Sequence, residues 1–176
     1  MRVLLIGPGG VGKTTVGRVL AHKLGLKLLD LDHEFCERID KIPSFLKTHC
    51  YEEYLVRNAE LCAALITSNA DGLFVLSSGF LSTDTRQDLV ESNRKLVASS
   101  GISVLLLPSE DLATATPIVV ERQLGRGFGL KRETETAKFA ARFNDYLQLG
   151  NIKIFGTDTP KAIASLIEER LYSYKS

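Results

Sequence analysis

The sequence contains no tryptophan, one methionine, five prolines and only three cysteines. Cys36, Cys50 and Cys62 are odd in number and widely spaced, and they form no C-x-x-C pair. This usage is typical of reduced thiols and excludes a disulfide framework, so it indicates a cytoplasmic protein. His49 and Cys50 would make half of a zinc site, but the sequence offers no second half, which argues against zinc.

Long apolar runs and an excess of one charge are absent as well. No apolar run approaches the length that spans a bilayer, and the N-terminal RVLLI is too short for a signal-peptide core. The 22 basic and 21 acidic residues give a net charge of +1. Such a balance favours neither nucleic acid nor a membrane as a partner. We expect one domain spanning 1–176, as a monomer or a small homo-oligomer.

Short apolar runs alternate with amphipathic stretches along the chain. The apolar runs predict five strands, at 2–6, 26–32, 72–79, 102–107 and 151–155. The stretches between them predict helices at 14–24, 51–68, from Ser82 or Thr83 to about 99, 133–148 and 160–172, with short or irregular structure at 33–49 broken at Pro43. This alternation predicts an α/β three-layer sandwich, a parallel sheet with helices on both faces and ligands at the carboxyl ends of its strands.

The segment GPGGVGKTT directly follows the first predicted strand. Gly7, Gly9 and Gly12 fit the turn of a dinucleotide site, whereas Gly7, Gly12 and Lys13 fit the loop G-x-x-x-x-G-K-[ST] of nucleoside triphosphate sites. Lys13 decides between them, because a dinucleotide turn has no task for a lysine. We therefore predict a P-loop NTPase fold that binds ATP and Mg²⁺, with Lys13 on the outer phosphates and Thr14 on the metal. The predicted nucleotide-binding residues are Gly9, Gly10, Val11, Gly12, Lys13, Thr14 and Thr15.

The acids of LLDLDHE indicate what happens to the nucleotide. The third predicted strand ends in Ser77-Ser78 without an aspartate, unlike motor and recombination ATPases, and the chain has neither D-x-x-G nor N-K-x-D of GTPase switches. Carboxylates beside a terminal phosphate suit phosphoryl transfer to a small acceptor. Asp30 is a candidate to position Mg²⁺ through water, and Asp32 is a candidate to orient or deprotonate the acceptor hydroxyl. Their spacing puts both on one face if the strand continues; alternatively, one of them caps the next helix.

Residues 121–132, ERQLGRGFGLKR, contain three glycines and four basic residues. This composition is typical of a mobile loop, and we predict a lid that closes over ATP and acceptor together. Arg126 is the candidate cation that neutralises charge on the transferring phosphoryl group, with Arg122 as the alternative.

About the first 38 residues, through IGPGGVGKTTVGRVLAHKLGLKLLDLDHEFCER, resemble the opening of shikimate kinases. The shared features are the strand and phosphate loop, a T-V-G-R-x-L-A helix, a Leu-Gly turn and D-x-D before an acidic helix. A weaker likeness continues through IPSFLKTHCYEEY, a glycine after the third strand, a basic lid and a helix carrying Arg142. The resemblance implies an ATP- and Mg²⁺-dependent kinase for a hydroxyl of a small anionic metabolite, with shikimate as the first candidate and an acceptor region at about 32–60.

One substrate clamp of the family is replaced in this sequence. The family has a Phe-Arg pair whose arginine holds the substrate carboxylate, and the matching positions are Tyr54-Leu55. Arg57, two residues further on, remains a candidate for substrate binding although it points elsewhere on a helix. A second family arginine matches Arg142, a further candidate. We therefore expect shikimate to bind weakly and Leu55→Arg to improve its binding.

Two further segments depart from the family pattern. Its Gly-Gly-Gly matches Ser77-Ser78-Gly79, where Gly79 would let the backbone approach the substrate. Its lid motif Arg-Pro-Leu is matched here to Arg126-Gly127-Phe128. These departures leave open a kinase for another polyol acid or a nucleoside, and a nucleotide-binding regulatory module without catalysis. Tyr54 and His33 are expected to be structural.

Overall fold

A parallel five-stranded sheet lies at the centre of the protein, in a computed structural model that describes residues 1–127 and 129–175. The strands are β1 (Arg2–Ile6), β2 (Leu28–Asp30), β3 (Gly72–Val75), β4 (Ile102–Leu107) and β5 (Ile152–Phe155). Their order is β2-β3-β1-β4-β5, so β1 is central, and Val3, Leu4 and Leu5 are fully buried. Burial on both faces explains why these strands are nearly continuous apolar runs. The predicted five-stranded parallel sheet is confirmed.

Helices cover both faces of this sheet, as predicted. They are α1 (Lys13–Leu24), α2 (Leu31–Arg38), α3 (Ile42–Thr48), α4 (Tyr51–Ser68), α5 (Gln87–Ser100), α6 (Leu112–Leu124), α7 (Arg132–Leu147) and α8 (Pro160–Lys175). Helices α1 and α8 pack together, as do α4 and α5, and right-handed crossovers put these two pairs on opposite faces. Within the described residues, no helix combines the length and apolarity needed to cross a membrane.

Strand β2 ends two residues earlier than predicted because Asp30 caps α2. One carboxylate oxygen of Asp30 accepts from the backbone N–H groups of Asp32 at 3.2 Å and His33 at 3.4 Å. This satisfies two of the free donors at the start of the helix. Asp32 therefore lies in the first turn of α2, and the expectation that both aspartates extend from one face of a strand is wrong.

The end of β3 and the start of α5 also differ from the prediction. β3 ends at Val75, and α5 begins at Gln87 rather than near Ser82 or Thr83. The Ser82 hydroxyl is buried and donates to Asp145 at 2.9 Å, so it does not cap a helix. This contact fixes the connection after β3 against α7.

Both ends of the predicted lid are helical. Helix α6 continues to Leu124 and α7 begins at Arg132, so only 125–131 connect them. Arg132 and Glu121 form an ion pair of 2.5 Å between the two helix ends. Asp111 caps α6 through the Thr114 backbone N–H at 2.7 Å. The loop prediction for 121–124 is thus wrong, and Phe128 lies outside the described residues.

Candidate active site

A cleft of 390 Å³ opens at the carboxyl edge of the sheet, a volume ordinary for small-molecule sites. It is lined by Gly9, Gly10, Gly12, Lys13, Thr14, Thr15, Asp30, Asp32, Val75, Leu76, Ser78, Arg122 and Arg126. Gly12 is the N-cap of α1 at φ 90°, a conformation that favours glycine, and no side chain caps this helix. The N–H groups at the start of α1 therefore suit an anion. Val11 is buried in the core, so its contribution to binding would come from its backbone.

Lys13 is folded back onto its own loop. Its Nζ donates to the carbonyl oxygens of Gly7 at 2.7 Å and Pro8 at 2.8 Å. Burial lowers the pKa of Lys13 to about 8, although the carboxylates of Asp32 and Asp30 act in the opposite direction. The side chain that sequence reasoning assigned to the outer phosphates is thus present at the base of the cleft, among carboxylates.

Thr14 and Asp30 are in direct contact. The Thr14 hydroxyl donates to Asp30 Oδ2 at 2.6 Å, while Asp30 Oδ1 caps α2. Asp30 therefore caps α2, one of the two alternatives, and it also lines the cleft. A hydroxyl and a carboxylate oxygen side by side form a hard-oxygen pair of the kind that Mg²⁺ prefers.

Asp32 is bonded to residues from two other elements. The Ser77 hydroxyl, just after β3, donates to Asp32 Oδ1 at 2.5 Å. Asn58 Nδ2, on α4, donates in turn to Ser77 Oγ at 3.0 Å. Burial raises the pKa of the Tyr54 phenol, and the nearby Asp32 carboxylate adds to this effect. Tyr54 is buried in the apolar core, as expected of a structural residue, and it also borders the candidate base.

Gly79 and Arg142, two of the predicted substrate-binding residues, lie close to each other. A Cβ on Gly79 would lie 2.6 Å from Tyr51 Oη and 3.8 Å from Arg142 Nη1, so a larger residue would collide with Tyr51. Arg142 Nη2 donates to Asp84 at 3.2 Å and to Thr83 Oγ1 at 3.4 Å. Its guanidinium is thus held beside Gly79 by the loop after β3.

Arg57 does not belong to this site. Its guanidinium is exposed and pairs with Glu60 at 3.3 Å on the outer face of α4. Leu55, in contrast, is 5% exposed and part of the apolar core. The geometry removes Arg57 from the predicted substrate-binding set, and it gives an arginine at position 55 no open pocket to occupy.

Two arginines face the phosphate loop from the side of α6. Both Arg122 and Arg126 line the cleft. The Arg122 Cβ would lie 3.2 Å from a Cβ on Gly10, so α6 holds this residue directly against the loop. Arg126 Nη1 donates to the buried Gln123 at 3.0 Å. Arg122-Gln123-Leu124 also fits the family's Arg-Pro-Leu at two of three positions, whereas Arg126-Gly127-Phe128 fits at one.

The residues that sequence reasoning missed are Asn58, Ser77 and Gln123. Ser77 stands at the carboxyl end of a strand, where ligand sites lie, and that position was a usable signal. Asn58 and Gln123 were hidden, because their neighbours come from distant parts of the chain.

The fold and the site together define a small-molecule kinase of the P-loop class. A strand, a glycine loop and a helix present Lys13 and Thr14 to a cleft that also holds Asp30 and Asp32. Arg142 lines a narrow cavity of about 20 Å³ that shares Gly9 and Ser78 with this cleft.

Comparisons with known proteins narrow this class to one family. The family model for shikimate kinase matches residues 9–172. The shikimate kinase of Thermobifida fusca is 32% identical over 96% of this chain and 93% of its own length. The structure of the Acinetobacter baumannii shikimate kinase in complex with shikimate has a TM-score of 0.78 at 25% identity, covering 99% of this chain and 94% of that one. The deoxyadenosine kinase from M. mycoides with bound dATP, with a TM-score of 0.63 at 16% identity, shares the fold alone.

The chain belongs to the shikimate kinase family. It is an ATP-dependent kinase of a small molecule, with ATP as the phosphate donor.

Proposed function

We propose that the protein transfers the terminal phosphoryl group of ATP to a hydroxyl of shikimate. The observation that carries this proposal is that Asp32 lines the same cleft as Lys13, Thr14 and Asp30, while Arg142 lines an adjoining cavity that shares Gly9 and Ser78 with it. An acceptor bound beside Arg142 would have its hydroxyl near both Asp32 and the terminal phosphate. The relative from Acinetobacter baumannii in complex with shikimate supports the choice of acceptor.

The phosphates of ATP would bind along the loop from Gly9 to Thr15. Lys13 would exchange its two carbonyl acceptors for phosphate oxygens, which are stronger partners because they are charged. We propose Arg122 as the cation at the transferring group, since α6 holds it against the loop; Arg126 is the second candidate.

The donor set at Thr14 and Asp30 fits Mg²⁺, because it consists of hard oxygens 2.6 Å apart that face the cleft. Thr14 would hold the ion directly and Asp30 through water. When bound, the ion supplies neutralising charge to the phosphate oxygens.

Asp32 and Arg142 would act on the acceptor. Arg142 would bind the shikimate carboxylate, a charge-assisted contact worth roughly 1.5–3 kcal/mol. Asp32 would orient the attacking hydroxyl and accept its proton as the oxygen bonds to phosphorus and ADP leaves. Gly79 would let the acceptor approach the backbone.

We further infer a single kinase domain over 1–176 that acts in the cytoplasm as a monomer or small homo-oligomer. The single sheet supports one domain, and the net charge of +1 supports a partner that is neither nucleic acid nor membrane.

An assay of ADP release over a panel of acceptors tests this proposal. With ATP and Mg²⁺, we expect release that depends on shikimate, with shikimate phosphate visible by ³¹P NMR. Lys13→Ala should abolish it while leaving the far-UV circular dichroism unchanged. Release that depends instead on a nucleoside or another polyol acid would overturn the acceptor, and tight ATP binding without release for any acceptor would favour a regulatory module.

A further inference from the structure

Two consecutive hydrogen bonds connect the candidate base to a buried side chain of α4. Asn58 Nδ2 donates to Ser77 Oγ at 3.0 Å, and Ser77 Oγ donates to Asp32 Oδ1 at 2.5 Å. Asn58 is 1% exposed and Ser77 8% exposed, so water competes little for these bonds. The three residues come from α4, the end of β3 and α2, which are separate elements.

The two hydrogen bonds run in one direction, from Asn58 through Ser77 to Asp32. A hydroxyl has one hydrogen to donate, and Ser77 already accepts from the amide of Asn58. Its hydrogen is therefore directed at Asp32. A carboxylate held through Oδ1 loses freedom to rotate about its Cβ–Cγ bond, so the direction of its second oxygen is fixed as well. Asp32 lines the cleft, where this orientation matters for an acceptor.

This feature belongs to this chain rather than to the family pattern. Ser77 matches the first glycine of the Gly-Gly-Gly segment of shikimate kinases. A glycine at this position has no hydroxyl to donate. Leu55 stands where the family has a second clamp arginine. With one clamp fewer to orient the acceptor, the orientation of Asp32 contributes more to the reacting geometry.

We propose that Ser77, supported by Asn58, is a positioning residue for phosphoryl transfer that aims the Asp32 carboxylate at the acceptor hydroxyl. The proposal rests on the proposed function in one respect, the action of Asp32 on the acceptor. Ser77 is not among the residues that line the cleft, and its hydroxyl also contacts the Tyr54 phenol. Its effect on the reaction would pass through its hydrogen bond to Asp32.

The kinetic test compares Ser77→Ala with Ser77→Thr. Ser77→Ala should lower kcat about tenfold, because the carboxylate samples unproductive orientations, while the KM for ATP stays within about twofold. Ser77→Thr keeps the hydroxyl and should recover most of kcat. Ser82→Ala is the matched control, since Ser82 is equally buried and its hydroxyl donates to a carboxylate, Asp145, outside the cleft.

A purely structural role predicts a different pattern. Ser77→Ala and Ser82→Ala would then lower the Tm alike and leave kcat unchanged, and that outcome overturns the proposal. So does a Ser77→Thr variant as slow as Ser77→Ala.

A second measurement separates this inference from the choice of acceptor. The wild-type panel assay alone decides whether shikimate is the substrate, and the kcat ratios are taken with whichever acceptor is turned over. Crystal structures of wild type and Ser77→Ala with ADP need no acceptor. We expect one Asp32 orientation in the wild type and more than one in the variant; a single, unchanged orientation in both overturns the proposal.

Discussion

At the scale of single residues, Arg142 is already paired with an acid. Asp84 Oδ1 lies 3.2 Å from Arg142 Nη2, and its side chain is 89% exposed. The pKa of Asp84 is lowered, first by its own backbone N–H and then by Arg142. If Arg142 binds the acceptor carboxylate as proposed, Asp84 would compete for the same guanidinium. Exposed pairs are worth roughly 0–1 kcal/mol, so this competition weakens acceptor binding by at most about fivefold.

Asp84→Asn should therefore lower the KM for shikimate by about two- to fivefold. The values of kcat and of the KM for ATP should stay unchanged, because neither the phosphate loop nor Asp32 is altered. Initial rates at saturating ATP measure this effect. Asp88→Asn is the control, since Asp88 is an exposed acid paired with Arg86 at 2.7 Å. An unchanged or raised KM in Asp84→Asn would show that Asp84 does not compete with the acceptor for Arg142.

Leu55→Arg should unfold more easily and should not improve shikimate binding. Leu55 is 5% exposed within the core, so the variant loses apolar packing and buries an unpaired charge. Such changes cost about 3 kcal/mol or more. Urea unfolding followed by circular dichroism measures the loss, and Leu166→Arg, at a helical position that is 37% exposed, is the control. A stable Leu55→Arg protein with a lower KM for shikimate would show that an arginine at position 55 can bind the substrate carboxylate.

At the scale of elements, α6 and the connection 125–131 decide which arginine meets the transferring phosphate. Arg122 is fixed on the last turn of α6 against Gly10, whereas Arg126 follows the helix and donates to Gln123. Preorganised charge stabilises a transition state most effectively, because it need not reorient during the reaction.

Arg122→Ala should thus reduce kcat by roughly 10²–10³-fold, and Arg126→Ala by less. The dissociation constant for ATP should change little in both variants, since the phosphate loop remains intact. Single-turnover rates with saturating ATP separate chemistry from binding. Arg94→Ala is the control, because Arg94 pairs with Asp145 at 3.2 Å outside the cleft. If Arg126→Ala lowers kcat more than Arg122→Ala does, Arg126 is the cation at the transferring phosphoryl group.

The order and type of most elements were readable from the sequence, and the failures have local causes. Apolar runs identified all five strands, because both faces of a parallel sheet are buried. The end of β2 was misplaced since the Asp30 cap ends the strand, and α6 was overlooked in a segment that contains Pro117. The hydrophobic periodicity of a sequence does not show where a side chain will cap a helix and so end the strand before it.

The part of the candidate site that lies within one short segment could be predicted from the sequence. The part that is assembled from several segments could not. The phosphate loop is local, so Lys13 and Thr14 could be assigned from spacing alone. Asn58 and Ser77 meet Asp32 only because α4 and β3 pack beside α2. Contacts across such distances leave no periodic signal in a single sequence.

At the scale of the whole molecule, nucleotide binding should make unfolding less frequent, and the reaction rate of the Cys62 thiol can measure this effect. This thiol is 1% exposed on α4, and burial raises its pKa to about 12, whereas Cys50 is exposed. A thiol reagent attacks the thiolate, so Cys62 can react only when the core opens. ATP stabilises the folded state by mass action, because only that state has the cleft.

With a chromogenic disulfide reagent, Cys50 should therefore react fast and Cys62 slowly. ATP at about 100 times its dissociation constant should slow the Cys62 reaction by roughly 100-fold, because ligand binding lowers the open population by that factor, and it should leave Cys50 unaffected. Cys36 is partly exposed as well, so the double variant Cys36→Ser/Cys50→Ser isolates the slow Cys62 reaction. If α4 opens locally, without disrupting the cleft, ATP will not slow Cys62, and the protein will not unfold as the single cooperative domain proposed above.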